Sequence, residues 1–327
     1  MQSNGDVFRA IGNANRDRTS RRSTVPGNDD REAAKQCKHG SADDPGRAFG
    51  EDSVTVYTSW RIEDGVVCEN TIIGVDIGRM VIEAPEVTRA ARPGQFVMVR
   101  SWETEPLLPR AMAPLTYDVS SGRMEIFYKI KGPGTQAMAR TRTGATAHVT
   151  GPLGQPILER FDGRNVALIG RGVGITPLLP LAKHIVATGG TVRSYLSART
   201  QAYLFGFDEF EALGPVHARV DDEGGRDDLV TNALAKYCRE HHVDAAYVCG
   251  SQRLTRATDE LGADHVFPGH VFLEEKMGCG IGYCKGCPIR LRNGGGYKLV
   301  CTEGPIFSTR EVELSGPIFP PQEVGLR

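Results

Sequence analysis

Four cysteines near the C-terminus constrain this chain more than any other feature. The stretch reads Met277-Gly278-Cys279-Gly280-Ile281-Gly282-Tyr283-Cys284-Lys285-Gly286-Cys287-Pro288, and Cys301 follows after thirteen intervening residues. Eight cysteines in a chain of 327 residues do not make a small disulfide scaffold. Three of them packed into one nine-residue stretch point instead to a metal site in a reducing compartment. The glycines at 278, 280, 282 and 286 let the backbone wrap closely and aim N–H groups at sulfur.

The spacing C-x4-C-x2-C is that of plant-type [2Fe–2S] binding loops. Two irons need four thiolates, and three ligands on one tight loop must all turn inward. Cys279, Cys284, Cys287 and Cys301 are the expected ligands. The alternative is a structural zinc ion on the same four thiolates. Zinc usually takes two pairs of the C-x2-C kind, whereas Cys301 stands alone and one spacing here is x4, so the pattern favours the iron cluster.

The rest of the chain divides by pattern. Residues 1–52 are rich in Arg, Asp, Asn, Ser and Gly with almost no aliphatic periodicity, and read as a disordered extension in which Cys37 is a bystander. From 53 to 160, short β-rich runs are expected at Thr71–Ile77, Arg79–Glu83, Gln95–Arg100, Met124–Lys131 and Thr146–Thr150. Gly and Pro punctuate them, as expected for an antiparallel β-barrel. From 161 to 265, strand and helix alternate, which predicts a parallel-sheet α/β domain. Residues 266–327 carry the cysteines and look too short for a large core, so a metal centre would stabilise them. The predicted fold class is therefore multi-domain, β plus α/β, with a small C-terminal [2Fe–2S] domain.

Net charge is −1, so no global field recruits nucleic acid or an anionic membrane. No apolar run approaches the ~18–20 residues of a membrane span. No apolar stretch follows Arg21-Arg22, so no export signal is expected, and a cytoplasmic location is.

Two glycine-bearing stretches are candidate phosphate cradles. Gly170-Arg171-Gly172-Val173-Gly174-Ile175-Thr176-Pro177 follows strand Val166–Ile169 and precedes an apolar helix, Leu178–Ala187. A glycine turn between strand and helix lets a pyrophosphate approach the helix N-terminus. It is not G-x-G-x-x-G, no acidic ribose reader stands about twenty residues on, and a packing turn is the competing reading. Gly132-Pro133-Gly134-Thr135 offers N–H groups and a hydroxyl to a phosphate, or is an ordinary turn. Arg110-Ala111-Met112-Ala113 supplies a cation before it. Cys249-Gly250 ends a later strand, where open α/β sheets bind ligands; a buried Cys is otherwise a small core residue. Arg199 is a candidate partner for a nucleotide 2′-phosphate, or a surface charge.

The order of barrel, arginine loop, glycine turn and cysteine run resembles the ferredoxin reductase superfamily. More closely, the chain resembles the electron-transfer subunit of type B dihydroorotate dehydrogenase from about Val54 to Leu314. The stretches that carry the resemblance are Arg92–Arg100, Leu107-Leu108-Pro109-Arg110, Gly132–Thr135, the glycine turn, Asp221-Asp222-Glu223-Gly224, Tyr247-Val248-Cys249-Gly250, Glu274–Cys279 and Gly304-Pro305-Ile306-Phe307.

The resemblance implies an oxidoreductase and flavoprotein that carries FAD, a [2Fe–2S] cluster and NAD. It implies electron transport in pyrimidine biosynthesis, with an FMN-containing catalytic subunit as partner in a heterotetramer of two of each. Arg110, Ala111, Met112 and Ala113 would lie along the FAD, with Arg110 on its diphosphate. Phe127, Tyr128 and Lys129 would flank the flavin or ribityl chain, and Gly134 and Thr135 would meet the diphosphate. Gly170, Gly172, Gly174 and Thr176 would meet NAD, with Cys249 and Gly250 near the nicotinamide. The chain departs from the family at Ala111 and Ala113, where Pro and a hydroxyl residue are usual, and at Arg171, which stands in a run of glycines. A related reductase serving a hydrogenase-like, glutamate synthase-like or oxygenase system is the alternative.

Overall fold

The computed structural model describes residues 60–221 and 229–314. The expected N-terminal extension 1–52 with Cys37, the stretch Asp222-Glu223-Gly224 and residues 315–327 lie outside the described residues.

The first part is a seven-stranded sheet: β1 (Arg61–Ile73), β2 (Ile77–Glu83), β3 (Phe96–Arg100), β4 (Arg110–Met112), β5 (Thr116–Asp118), β6 (Arg123–Lys129) and β7 (Thr146–Leu153). Its order is β4-β3-β7-β1-β2-β6-β5, and every pairing is antiparallel. Alternation builds its core. β6 buries Met124, Ile126 and Tyr128 and turns the residues between them outward. They pack with Met80, Ile82, Val97, Val99 and Val149.

The expected barrel is a curled sheet whose ladder ends at β4 and β5, with the curl bringing β4 back against β6. The run expected at Thr71–Ile77 spans the β1–β2 turn, where Gly74 sits at φ +61°. The first ten residues of β1 escaped notice because Glu63, Asp64 and Glu69 break the apolar pattern. Little of that strand is buried beyond Gly65 and Val67. Helix α1 (Pro85–Ala90) and helix α2 (Pro133–Arg140) close the ends of the sheet.

The second part follows the expected alternation. Its strands are β8 (Asn165–Arg171), β9 (Thr191–Ala198), β10 (Val216–Val220), β11 (Ala245–Cys249) and β12 (Gly269–Phe272). After them the chain forms a hairpin, β13 (Pro288–Arg290) and β14 (Tyr297–Leu299), and then β15 (Ile306–Ser308). The large sheet runs β10-β9-β8-β11-β12-β15; the first five strands are parallel and β15 is antiparallel to β12. The cysteine-bearing segment thus sends one strand back into this sheet.

Helices α3 (Leu178–Ala187) and α4 (Phe207–Leu213) pack with one apolar cluster; α5 (Thr231–Cys238) and α6 (Gln252–Asp264) pack with the other. Helix α6 was not anticipated. It is mostly polar, and its buried stripe of Leu254, Thr255, Thr258 and Gly262 holds only one large apolar side chain, but Ser251 caps it by accepting the Leu254 N–H at 3.3 Å. A short helix, α7 (Val300–Glu303), carries Cys301.

Strand order reverses between β8 and β11. Their C-terminal ends therefore frame the crevice where open α/β sheets bind ligands.

Candidate functional site

A cavity of about 560 Å³ lies between the curled sheet and the parallel sheet. That is the size range of small-molecule and cofactor sites. On one wall stand Arg110, Ala111, Met112 and Ala113, with Phe127, Tyr128 and Lys129 from β6 and Thr135 from α2. Facing them are Thr176, after the glycine turn, and Cys249, at the end of β11. Ten of the residues expected along FAD and NAD thus meet at one cavity. Segments from 110 to 249 supply them.

Arg110 is fixed by its surroundings. Its guanidinium donates to the Leu108 carbonyl at 2.6 Å and the Pro109 carbonyl at 3.1 Å, and lies 5.7 Å from the centre of the Trp102 ring. Gly134 makes the room: a Cβ there would stand 2.3 Å from Arg110 side-chain atoms. Gly132–Thr135 is the first turn of α2 rather than an isolated loop. The Thr135 hydroxyl accepts the N–H groups of Lys131 at 3.0 Å and Gly132 at 3.2 Å. A guanidinium pressed on a helix N-terminus is an anion-binding arrangement suited to a diphosphate.

The β6 residues divide by face. Phe127 stacks on Phe205 of the second part with centroids 4.4 Å apart. Lys129 pairs with Asp76 at 3.5 Å. Tyr128 belongs to the core of the curled sheet; its hydroxyl donates to Asn70 at 3.1 Å, and burial pushes its pKa up to about 12.

The glycine turn meets Cys249 directly. A Cβ on Gly174 would lie 2.7 Å from the Cys249 carbonyl oxygen, so only glycine lets the two chain ends approach. Gly170 permits close packing of Ile175 and Leu178 on β8, while Gly172 takes φ +56° with open space where its Cβ would be. Gly250 sits at φ +154° against Arg171. Thr176 is buried, and its hydroxyl donates to the Val173 carbonyl at 2.8 Å. Gly134, Gly170, Gly174 and Gly250 make room behind the site rather than line it, and Gly172 is not in its lining. Burial raises the Cys249 thiol well above its ordinary value, which keeps it an uncharged wall.

Glu274, Glu275, Lys276 and Met277 also line the cavity, and the sequence reading gave them no role. Their signal was position: they leave the C-terminal end of β12. Glu274 is reached by solvent through the cavity mouth, yet enough protein surrounds it to raise its carboxyl above the ordinary range.

Two residues beyond Met277 begins the cysteine loop. Gly280, at φ +75°, lets it pack on the curled sheet, where a Cβ would meet Met98 at 2.7 Å. Gly282, at φ +80°, presses against Thr302. The Cys284 N–H donates to the Cys279 sulfur at 3.3 Å, the Gly282 N–H to Cys301 at 3.2 Å and the Cys301 N–H to Cys287 at 3.4 Å.

The four thiols fall into two neighbouring pairs, Cys279 with Cys284 and Cys287 with Cys301, each joined by a backbone N–H of one cysteine donating to the sulfur of the other. The Cys301 thiol holds Cys287 down, to about 6, while Cys301 itself is raised. Among the described residues no three Cys, His, Asp or Glu side chains converge as the donor set of one ion. Two thiol pairs ringed by backbone N–H groups fit a two-iron cluster better than a single tetrahedral zinc.

Residues 274–313 match the family model of the iron–sulfur cluster binding domain of dihydroorotate dehydrogenase B. The dihydroorotate dehydrogenase B (NAD(+)), electron transfer subunit of Shouchella clausii (strain KSM-K16) is 34% identical over 255 residues, covering 76% of this chain and 96% of that protein. The subunit of the same name from Geobacillus sp. (strain WCH70) is 34% identical over 257 residues, 77% of this chain and 98% of its own length.

A solved structure described as giving insights into flavin-based electron bifurcation, that of an NADH-dependent reduced ferredoxin–NADP oxidoreductase, superposes with a TM-score of 0.69 at 30% identity. The match covers 76% of this chain and 90% of that one. A ferredoxin NADP+ reductase from Neisseria gonorrhoeae, solved with bound FAD and NADP, shares the fold at 19% identity and a TM-score of 0.51 over 63% of this chain and 91% of its own. The curled antiparallel sheet beside a mixed sheet and a C-terminal iron–sulfur segment is thus a ferredoxin reductase-like fold, and the chain belongs to the family of electron transfer subunits of dihydroorotate dehydrogenase B.

Proposed function

We propose that the chain carries electrons between a catalytic dihydroorotate-oxidising subunit and NAD, by way of a [2Fe–2S] cluster and FAD, in pyrimidine biosynthesis. The observation that carries the reading is continuity. One wall of the cavity, Glu274–Met277, runs directly into the cysteine loop. Beside it, on the neighbouring strand, the end of β11 meets the glycine turn.

When bound, FAD exchanges hydride with a nicotinamide and single electrons with the cluster, which neither of those carriers can do for the other. The chain's residues do the positioning. Arg110 and the first turn of α2 hold the diphosphate, and β4 and β6 flank the flavin. The glycine turn with Thr176 receives NAD, and Cys249 and Gly250 wall the nicotinamide. Cys279, Cys284, Cys287 and Cys301 hold the cluster. No side chain is needed here as a general base. Summed over both subunits, dihydroorotate gives up two electrons and two protons to become orotate, NAD⁺ takes both electrons and one proton to become NADH, and the other proton is released.

The partner in this reading carries FMN and forms a heterotetramer of two of each subunit. The flavin part comprises residues 53–160, the nucleotide part 161–265 and the cluster part 266–327, with β12 and β15 joining the last two. Among the described residues no helix is long and apolar enough to cross a membrane; we place the complex in the cytoplasm.

A second reading, service to a different dehydrogenase or reductase partner, is favoured by the 30% identity to the ferredoxin–NADP oxidoreductase chain and by Ala113 in place of a hydroxyl residue. Purification of the native complex under anaerobic conditions separates them. Dihydroorotate should bleach the visible absorption of the complex. If NADH bleaches it and dihydroorotate does not, the partner is another one.

A further inference from the structure

We propose that Gln155 is a positioning residue for electron passage between the flavin cavity and the cysteine loop. Its side chain ties the linker after the curled sheet to the helix that carries Cys301, and so fixes the spacing of cluster and flavin. The proposal rests on the electron-carrier reading above and on the FAD and cluster sites it uses.

The linker runs on from β7, and its first residues touch both neighbours at once. Gly154 sits at φ +79°, where a Cβ would stand 2.8 Å from the Gly304 carbonyl oxygen. Only glycine lets the linker come that close to the end of α7. From there the Gln155 N–H donates to the Gly304 carbonyl at 2.7 Å, and the Gln155 side-chain amide donates to the Thr302 carbonyl at 2.7 Å. Helix α7 is a single turn, so its last carbonyls have no partners within the helix. Gln155 supplies the donors from outside.

On its other side the linker is fixed to the curled sheet. The side-chain amide of Gln95, which is buried, donates to the Gly154 carbonyl at 2.9 Å and accepts the Arg92 N–H at 3.0 Å. The Ile157 N–H donates to the Pro93 carbonyl at 2.8 Å. Phe96, next after Gln95, lines the flavin cavity, and so does Pro305, next after Gly304. Two glutamines thus act in series between the cavity wall and the cysteine segment.

At the far end the tie reaches the thiols. The Val300 N–H donates to the Cys287 carbonyl at 3.0 Å, so α7 carries Cys301 and holds Cys287. A Cβ on Gly282 would lie 2.7 Å from the Thr302 methyl, and the Gly282 N–H donates to the Cys301 sulfur at 3.2 Å. Thr302 therefore presses on the loop with its side chain while its carbonyl is held by Gln155. Gly280 also packs the loop on Met98 and Leu153. That apolar contact limits approach, whereas hydrogen bonds are directional and fix where along the sheet the loop stands. A site supported in this way depends on the support to within a fraction of an ångström. The N–H groups that donate to sulfur belong to Gly282, Cys284 and Cys301, within the cysteine segment itself. A slide of that segment would change the spacing and leave the surroundings of the thiols alone.

The test uses the full chain loaded anaerobically with FAD and cluster, with iron and FAD measured on each preparation. Gln155→Met keeps the length of the side chain and removes its donor without adding charge. Stopped-flow mixing with NADH gives the rate of flavin bleaching. Flash photoreduction of the flavin times the electron's passage to the cluster. Microwave-power saturation of the flavin radical signal, with the cluster reduced, reports how closely the two spins stand. Redox titration gives the cluster's potential.

Gln155→Met should keep iron, FAD, the rate of flavin bleaching and the cluster potential. It should slow passage to the cluster roughly tenfold and weaken the cluster's effect on the flavin signal. Gln155→Lys, which restores a donor, should recover part of both. Unchanged passage and unchanged saturation in Gln155→Met overturn the proposal, and a lysine variant no better than the methionine one overturns the role of the donor. A shifted potential or lost iron overturns it too, since Gln155 would then act on the cluster's own surroundings rather than on its distance. If the native chain takes no electrons from NADH, or passes none to the cluster, the electron-carrier reading fails instead.

Discussion

The cysteine loop and the large cavity are neighbours in space, yet they are built in opposite ways. The loop draws three of its four thiols from residues 279–287 and is shaped by its own glycines. The cavity draws its walls from β4, β6, α2, the glycine turn, β11 and the stretch after β12. A locally encoded site depends on a few backbone conformations. An assembled site depends on two sheets keeping their mutual position. The first should therefore fail by losing single ligands, and the second by losing packing or charge at points far apart in sequence.

The largest effect expected is at the loop. Cys301→Ser removes one sulfur of the buried pair, and iron content and the charge-transfer absorption should fall to near background while FAD is retained. Measuring iron and flavin on the same sample checks this. Loss of both together would mean that loop and cavity are one cooperative unit.

Next comes the cavity wall. Gly134→Val places a side chain where Arg110 now lies, and FAD should bind at least tenfold more weakly, ~1.4 kcal/mol. Fluorescence titration of the apoprotein measures it. An unchanged dissociation constant would remove Arg110 from the diphosphate.

A smaller effect is pH-dependent. Burial raises the Glu274 carboxyl, and FAD in the cavity would strip its remaining water, favouring the protonated form further. Arg110, Lys129, Lys131, Lys276, Glu275 and Cys249 share that cavity. For an acid raised in the bound state, affinity is greatest at low pH and is lost as pH rises through the raised value. FAD affinity should therefore be greatest below the ordinary carboxylate range and fall severalfold as pH rises through the raised value of Glu274, and Glu274→Gln should flatten the curve. A flat curve in the native chain would place Glu274 away from the flavin.

The smallest concerns one of the contacts between the two sheets. The Tyr203 hydroxyl donates to Asp76 at 3.0 Å and accepts the Val75 N–H at 3.3 Å, tying the second part to the β1–β2 turn. Tyr203→Phe should cost about 1 kcal/mol in denaturant unfolding. If FAD affinity falls with it while iron content does not, the contrast between assembled and local sites is sharpened.

What could be read in advance follows the same division. Strand β8, the glycine turn and α3 were legible because Val166–Ile169 and Leu178–Ala187 are continuous apolar runs bounded by glycines. Strand β1 was not, because its charged residues face solvent and only a few positions are buried. Helix α2 looked like a turn because Gly-Pro-Gly breaks periodicity, although Pro fits the first turn of a helix. Residues Glu274–Met277 were quoted only as part of the resemblance. Nothing in four consecutive residues says that they complete a wall begun at residue 110.

By itself the amino-acid sequence determined the thiol set, the glycine turn and the alternation of the nucleotide part. Each is a matter of spacing along a few residues, and spacing survives without a fold. Only the tertiary structure decided that the thiols fall into two pairs, that Gly134 seats Arg110, and that Gln155 ties the linker to the helix carrying Cys301. Those are contacts between segments brought together by strand order and sheet curvature, and no local propensity carries that information.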